Sequence, residues 1–274
     1  MRRALLFLGL LLLPGTPDIC AQTLAPGTTS PTLEAGSCFT DEAVLCGTGC
    51  VATCDLPENS AEPFMTIENI NVGNKWVVAA VQTDFTVAAP ADGGANTLDA
   101  TISYDVEWDG IWTLTGLATG WNDAKSIVTL TLKDLSTGNI LRTEKVHEKD
   151  VDGFLDIEII AVGAGRDRGS SENSFSARLV RGRSYRLELA ARCEAKAAFN
   201  AFISLDYQTL GLGVWWNDLR VSVAPDLAEE IEKLTRRVEA LETHTHTYLT
   251  GKAEGHNNVQ VETSEPIMIV PETK

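Results

Sequence analysis

Apolar and polar residues alternate strictly along much of the middle of the chain. In one stretch, Val128, Leu130 and Leu132 would share one face of a strand, while polar residues occupy the other face. A repeat of two with one polar face is typical of antiparallel sheets that pack as a sandwich. Because such β-rich runs recur with turn sequences between them, we predict an all-β fold, an antiparallel jelly-roll-like β-sandwich over residues 61–224.

The repeat changes after Pro225. Apolar residues then recur at spacings of four and three, at Leu227, Ile231, Leu234, Val238 and Leu241. This is a heptad seam with β-branched residues at a and leucine at d, a combination that favours two strands. A narrow stripe of this kind packs best on copies of itself, so we predict a short coiled-coil helix over residues 225–242 and a homo-oligomer. The alternative is that the stripe folds back onto the sandwich.

A polar block with two histidines follows the seam, within an extended tail predicted for residues 243–274. His244 and His246 alternate with threonines, which favour an extended strand with both imidazoles on one side. If the helix continued, the two positions would lie about 200° apart around its axis and could not share a ligand. Assembly would complete a metal site, with six imidazoles from a trimer for Fe, Ni or Zn, or four from a dimer for Zn. The alternative is a solvated segment without metal.

The C-terminal block carries a resemblance to known proteins. A short coiled coil followed by His244-Thr-His246 resembles the His-x-His segments of trimeric bacteriophage tail fibres, whose intertwined chains bind a metal ion on their axis. The longer block from His244 to Asn258 is similar to a C-terminal block of uncharacterised secreted bacterial proteins. The resemblance implies a trimer rather than a dimer, with both histidines as ligands. It says nothing of the β domain, for which no family is recognised.

The first residues are typical of an export signal. Arg2 and Arg3 precede an apolar run, Ala4–Leu13, which is too short to span a bilayer. We predict residues 1–21 as a Sec-type signal peptide and the protein as secreted or displayed at the cell surface. A mobile leader with a cysteine cluster is expected over residues 22–60, because its first part is rich in Thr, Pro, Gly and Ser.

The leader contains four of the six cysteines, Cys38, Cys46, Cys50 and Cys54. In an oxidising compartment they are predicted to form one or two disulfides. Zinc is the alternative, although the spacing differs from paired C-x2-C motifs and export disfavours free thiolates. Cys193 is expected to be a buried thiol or the partner of a cluster cysteine.

Charge narrows the range of partners. The 274 residues include 22 Lys and Arg against 38 Asp and Glu, a formal net charge of −16. An acidic surface disfavours nucleic acid and anionic lipid, since both require basic side chains. No apolar run reaches the roughly 18–20 residues of a membrane span. We therefore expect no nucleic-acid partner and no membrane span.

Four of the six tryptophans are candidates for an exposed binding platform, namely Trp112, Trp121, Trp215 and Trp216. Successive side chains of a strand point to opposite faces, so one ring of the adjacent pair Trp215 and Trp216 faces outward. An exposed aromatic ring on a polar sheet marks a binding site, here for a glycan or another surface ligand. The alternative is that the rings belong to the core.

Oxygen ligands gather around a turn at Gly153. Asp150, Asp152 and Asp156 are weak candidates for a calcium site, although their spacing is not that of an EF-hand loop. Solvated carboxylates at a turn are the alternative. His147 precedes them in a polar alternating stretch and is expected on a solvated sheet face.

The sequence contains no nucleophile elbow, His-Glu-x-x-His motif, phosphate loop or dinucleotide fingerprint. We therefore expect a secreted, non-enzymatic oligomer whose coiled coil displays the sandwich for binding or attachment. A structural subunit of an extracellular or cell-surface assembly is the alternative. A metal-dependent secreted hydrolase is the third hypothesis.

Overall fold

The computed structural model describes residues 21–43, 49–68, 73–90, 96–116, 123–152, 161–197 and 202–250. Strands dominate these ranges, and they divide into two units, Met1–Pro225 and Asp226–Lys274. The strands are β1 (Gln22–Leu24), β2 (Ser37–Glu42), β3 (Cys50–Asp55), β4 (Ser60–Glu68), β5 (Gly73–Val87), β6 (Thr97–Gly116), β7 (Asp123–Asp134), β8 (Ile140–Asp152), β9 (Ala161–Val180), β10 (Ser184–Ala197), β11 (Phe202–Asp206) and β12 (Gly213–Val223). One α-helix, α1, spans Leu227–Thr250. The predicted all-β class is confirmed.

The strands form two six-stranded sheets. Sheet I has the order β1-β5-β10-β7-β8, and β2 also pairs with β5. Sheet II has the order β11-β4-β12-β6-β9, with β3 also on β4 and β11 also on β6. Four of the pairs are nested along the chain: β4 with β12, β5 with β10, β6 with β9, and β7 with β8. The long ladders of β10 with β7 and of β12 with β6 join these pairs into the two sheets.

Inward-facing side chains of both sheets contribute to one hydrophobic core. Val128, Leu130 and Leu132 of β7 are buried, whereas the threonines between them are half-buried. β10 repeats this pattern with Tyr185 and Leu187. The alternation of the sequence therefore specifies which face of each strand is buried, and the predicted sandwich-like packing is confirmed.

The leader, which we predicted to be mobile, pairs with strands of the sandwich and contributes side chains to the core. β1 runs parallel to the end of β5, and Leu24 and Leu33 are buried. Three leader amides donate hydrogen bonds to carbonyls of β12, Gly27 to Val223, Ser30 to Val221 and Leu33 to Leu219. The few apolar residues of the leader enter the core, and the leader backbone bonds to β12. Composition alone did not indicate this order.

The cysteine cluster joins the two sheets. β2 pairs with β5 in sheet I and β3 with β4 in sheet II, and a disulfide links Cys38 of β2 to Cys54 of β3, with their Cα atoms 6.1 Å apart. Cys50 is also disulfide-bonded. Cys193 is a free, buried thiol on β10, and burial raises its pKa.

The C-terminal unit begins with a capped helix. The Asp226 carboxylate accepts hydrogen bonds from the amides of Ala228, at 3.1 Å, and Glu229, at 3.3 Å, which is the geometry of an N-cap. The helical backbone continues to Thr250, past the predicted end at residue 242. The extended His-x-His strand expected after Leu241 is therefore wrong for residues 243–250, because helical hydrogen bonding prevails there over the strand preference of threonine. No helix in the described ranges is long and apolar enough to cross a membrane.

Several predicted features lie outside the described residues. These are residues 1–20 of the signal peptide, the tail from residue 251, and Cys46, Trp121 and Asp156.

Candidate functional site

The heptad seam of α1 is exposed along its whole length. Leu227, Ile231, Leu234, Val238 and Leu241 are 70%, 65%, 55%, 53% and 67% exposed. By contrast, the apolar positions of the strands are largely buried. Five exposed aliphatic side chains on one stripe form a surface that this chain alone leaves in water.

The tryptophan candidates separate into buried and accessible rings. Trp216 is buried, and its indole N–H donates to the Leu33 carbonyl at 2.9 Å. Trp112 is half-buried and packs over Gly163 and Gly165. Trp215 is half-exposed on the outer face of sheet II, where the alternation between it and Trp216 places it.

Trp215 forms one wall of a cavity of about 280 Å³, which we call the Trp215 pocket. Its other lining residues are Glu58, Ser60, Glu62, Gly211 and Leu212. Ser60 lies directly opposite Trp215 because β4 pairs with β12 at this point. Glu58 belongs to the turn before β4, so two consecutive elements supply both carboxylates.

Gly213 lies close beside these side chains. A Cβ on Gly213 would lie 2.7 Å from Ser60 Oγ and 3.5 Å from both Glu62 Cγ and Trp215 Cε3. The hydroxyl, the Glu62 side chain and the indole therefore surround one point. A side chain at residue 213 would be too close to the Ser60 hydroxyl, so glycine fits here without displacing it.

Hydroxyl groups orient one of the two carboxylates. The Glu62 carboxylate accepts from Thr53 Oγ1 at 3.1 Å and from Ser60 Oγ at 3.2 Å. In the part of the chain that the structure describes, no Lys or Arg forms an ion pair with Glu62 or Glu58. The pocket thus combines an accessible indole with negative charge that no described cation neutralises.

A second cavity, of about 310 Å³, lies farther along the same sheet. Asp105, Glu172 and Asp218 line it, and they occupy adjacent positions across β9, β6 and β12. Arg220 pairs with Asp218 at 2.9 Å, and Thr32 donates to the same carboxylate at 2.6 Å. This cavity has charge but no accessible aromatic ring among the residues that line it.

Two of the three calcium candidates, Asp150 and Asp152, lie on β8. The Asp150 carboxylate lies 3.4 Å from Lys125 Nζ, and Asp152 ends β8. Within the described ranges, no group of three or more His, Cys, Asp or Glu residues is placed to hold a metal ion. His244 and His246 lie on the helical part of the backbone.

The sequence analysis placed His147 on a solvated sheet face, and this prediction is wrong. The His147 side chain turns inward. Its ring stacks on Trp108, with ring centres 4.2 Å apart, and its Nε2 lies 2.8 Å from the Asp167 carboxylate. Tyr207 donates to the same carboxylate at 2.6 Å, and the Ser126 hydroxyl lies 3.3 Å from it. Asp167 therefore links β7, β8, β9 and the end of β11, and so joins both sheets.

Asp167 stays ionised in this buried position. Burial opposes its charge, but the hydrogen bonds from His147, Tyr207 and Ser126 outweigh that cost and hold its pKa below the usual value. Burial also raises the pKa of Tyr207, which remains a donor. All three groups converge on Asp167, and Ser126 contacts Tyr207 rather than His147, so the geometry is that of a structural hub.

Sequence reasoning missed the neighbours of Trp215 and the Asp167 hub. Strand pairing brings Ser60 beside Trp215 across a long stretch of sequence, and no local pattern encodes that register. The one available signal was the polar alternation of Ser60 and Glu62 on β4. For His147, a β-bulge in β8 changes the face of the strand on which the ring lies.

Comparison with known proteins adds little. No protein-family model and no curated protein sequence matches this chain. The structure of infectious bursal disease virus, Gt strain, is 13% identical, with a TM-score of 0.10, over 67% of this chain and 47% of that one. The structure of T=1 particles derived from infectious bursal virus is also 13% identical, with a TM-score of 0.10, over 67% of this chain and 45% of that one. The chain spans less than half the length of these proteins, and such TM-scores carry no argument about fold or function.

Proposed function

We propose that this protein is an exported, non-enzymatic homo-oligomer that works in attachment, with the sandwich as the binding unit and α1 as the joint between copies. The observation that carries the proposal is the exposed heptad seam of α1. Joining several sandwiches multiplies a weak contact of each one with a surface.

A second copy of the chain is the partner that fits the seam. Full burial of a large aliphatic side chain contributes about 1.5–3 kcal/mol, and the seam has five of them more than half exposed. An isolated helix is only marginally stable in water, so burial of the seam against other copies would stabilise this 24-residue helix. A repeat of four and three is self-complementary. We propose a trimer, as in the fibres that the C-terminal block resembles.

The sandwich suits a displayed unit. Its nested strand pairing supports a jelly-roll arrangement, in which four antiparallel pairs wind into two facing sheets. The disulfide between Cys38 and Cys54 supports an oxidising location, because such bonds persist outside the reducing cytosol. The apolar run Ala4–Leu13 supplies the export signal in this proposal.

Light scattering of the purified protein at micromolar concentration tests the assembly. We expect three times the chain mass for the wild type and one chain mass for Val238→Asp, which places a charge in the seam. Ala240→Asp is the matched control, since it adds the same charge to the same exposed helix outside the seam. A wild-type monomer, with and without added metal, would overturn the proposal, as would equal dissociation of both variants.

A further inference from the structure

We propose that the Trp215 pocket binds an organic ammonium group, either the side chain of a lysine or a quaternary ammonium. This inference rests on the attachment function proposed above and gives that function a ligand chemistry. It combines two properties of the pocket: an accessible indole, and carboxylates that no described cation neutralises.

The indole is the first property. β12 buries Val214 and Trp216 and turns Trp215 to the outer face, where its ring borders a cavity of about 280 Å³. Among aromatic side chains, tryptophan attracts cations most strongly through the face of its ring. An ammonium group bearing alkyl carbons also gains by covering the apolar part of the ring.

The carboxylates are the second property. Glu58 and Glu62 line the pocket, and hydroxyl donors orient Glu62 without cancelling its charge. A third carboxylate, Glu107, lies opposite Trp215 on β6, where paired residues have Cβ atoms about 4.5–5.5 Å apart. No described Lys or Arg pairs with Glu107.

The guanidinium groups on this face are already engaged. Arg166 makes a two-pronged ion pair with Asp109, and Arg168 lies 3.7 Å from the same carboxylate. Asp109 is opposite Gly213, so these cations meet a different acid from the ones that border Trp215. The carboxylates of Glu58, Glu62 and Glu107 therefore remain available to a cation from solution.

An ammonium group satisfies this combination better than other ligands. A metal ion needs several converging oxygen ligands, and the described residues form no such group. A phosphate or carboxylate would be repelled. A neutral sugar would stack on the indole but gain nothing from uncompensated charge, whereas an alkylated cation uses both the ring and the carboxylates.

Calorimetric titration of the purified protein tests the site with three probes: choline, Nα-acetyl-lysinamide and a neutral N-acetylglucosamine oligomer. We expect binding of an ammonium probe that weakens as salt is raised, because the attraction is electrostatic. Trp215→Ala and Glu62→Gln should each weaken it by about tenfold or more. Asp99→Asn is the matched control, since it removes one carboxylate from an exposed position farther along β6 and should leave binding unchanged.

The two ammonium probes distinguish the source of the ligand. Tighter binding of choline identifies a quaternary ammonium group, and tighter binding of Nα-acetyl-lysinamide identifies a lysine side chain. The proposal is overturned if the neutral oligomer binds more tightly than both, if neither ammonium probe binds, or if Trp215→Ala and Glu62→Gln bind as the wild type does. Repeating the titration on Val238→Asp separates the two proposals. Binding by this monomeric variant shows a working pocket even where the mass measurement contradicts the trimer.

Discussion

The two units of this chain handle their apolar residues in opposite ways. The sandwich buries Trp216, Leu132 and Leu187 almost completely, whereas the helix leaves every residue of its seam more than half exposed. Both patterns are equally regular in sequence, with a period of two in the strands and of 3.5 in the helix. A regular pattern therefore specifies an apolar surface. That surface becomes part of a core only where another element of the same chain packs against it.

This difference predicts two kinds of stability. The sandwich contains both of the layers that it needs, so its unfolding should not depend on protein concentration. In the proposed oligomer the helix is stabilised by other copies, so its melting should depend on protein concentration by mass action.

The largest effect is expected from the core of the sandwich. Trp216→Ala removes a buried ring and its hydrogen bond to Leu33, and should lower the free energy of unfolding by about 3–5 kcal/mol. Trp215→Ala, the neighbour on the outer face, should cost less than about 1 kcal/mol. Urea unfolding followed by near-ultraviolet circular dichroism measures both. Equal losses in the two variants, or midpoints that shift on dilution, would contradict a self-sufficient sandwich.

An intermediate effect is expected at the Asp167 hub. Asp167→Asn should cost about 1–3 kcal/mol at pH 7, because buried donors lose their charged acceptor. The pKa of Asp167 is lowered in the folded protein, so its contribution is present above the pKa of the unfolded chain and is lost as pH falls through the folded value. The difference between wild type and variant should therefore shrink below about pH 4.

Urea midpoints of wild type and Asp167→Asn at pH 7 and pH 3 test this. Asp99→Asn is the control, since Asp99 and its partner Arg178 are both exposed and should show little effect at either pH. A difference between wild type and Asp167→Asn that stays constant down to pH 3 would show that the carboxylate charge does not contribute.

The smallest effect is expected at the end of the helix. His244 and His246 lie on the helical backbone, so both can ligate one metal only if the last turns of α1 open. If they then hold zinc between copies, the helix melting temperature should rise by roughly 4–8 °C, equivalent to about 1 kcal/mol. The double variant His244→Ala/His246→Ala should lose both the shift and the metal content. The ellipticity at 222 nm and metal analysis provide the readouts. A shift that persists in the double variant would contradict the metal site and leave the seam as the joint.

The sequence predicted faces well where strands are regular. The buried positions of β7 and β10 follow directly from period two, as do the opposite faces of Trp215 and Trp216. His147 fails for a specific reason: Val128 pairs with His147 while the next residue, Thr129, pairs with Lys145. The bulge at Val146 adds one residue to β8 and reverses the alternation, so His147 faces the core.

Polar strands were harder to predict. Much of β9 consists of Gly, Ser, Arg and Asp, and it lies at the edge of sheet II, where one side of the strand has no neighbour in the described sheet. Its main stabilisation is the long backbone ladder with β6, which leaves no hydrophobic signal in sequence. The Trp215 pocket was hard to predict for a similar reason. Trp215 can be identified from its local sequence, but Ser60 and Glu62 come next to it only through the order of the strands in the sheet.

The position of β12 has a mechanical consequence. The chain passes from β12 into the segment that leads to α1, so tension applied through the helix reaches this strand first. β12 is held by the ladder to β6 on one side and by leader amides of Gly27, Ser30 and Leu33 on the other. Tension along the strand loads these hydrogen bonds together in shear rather than one after another. A surface-attached sandwich pulled by its C-terminal joint would thus resist force collectively.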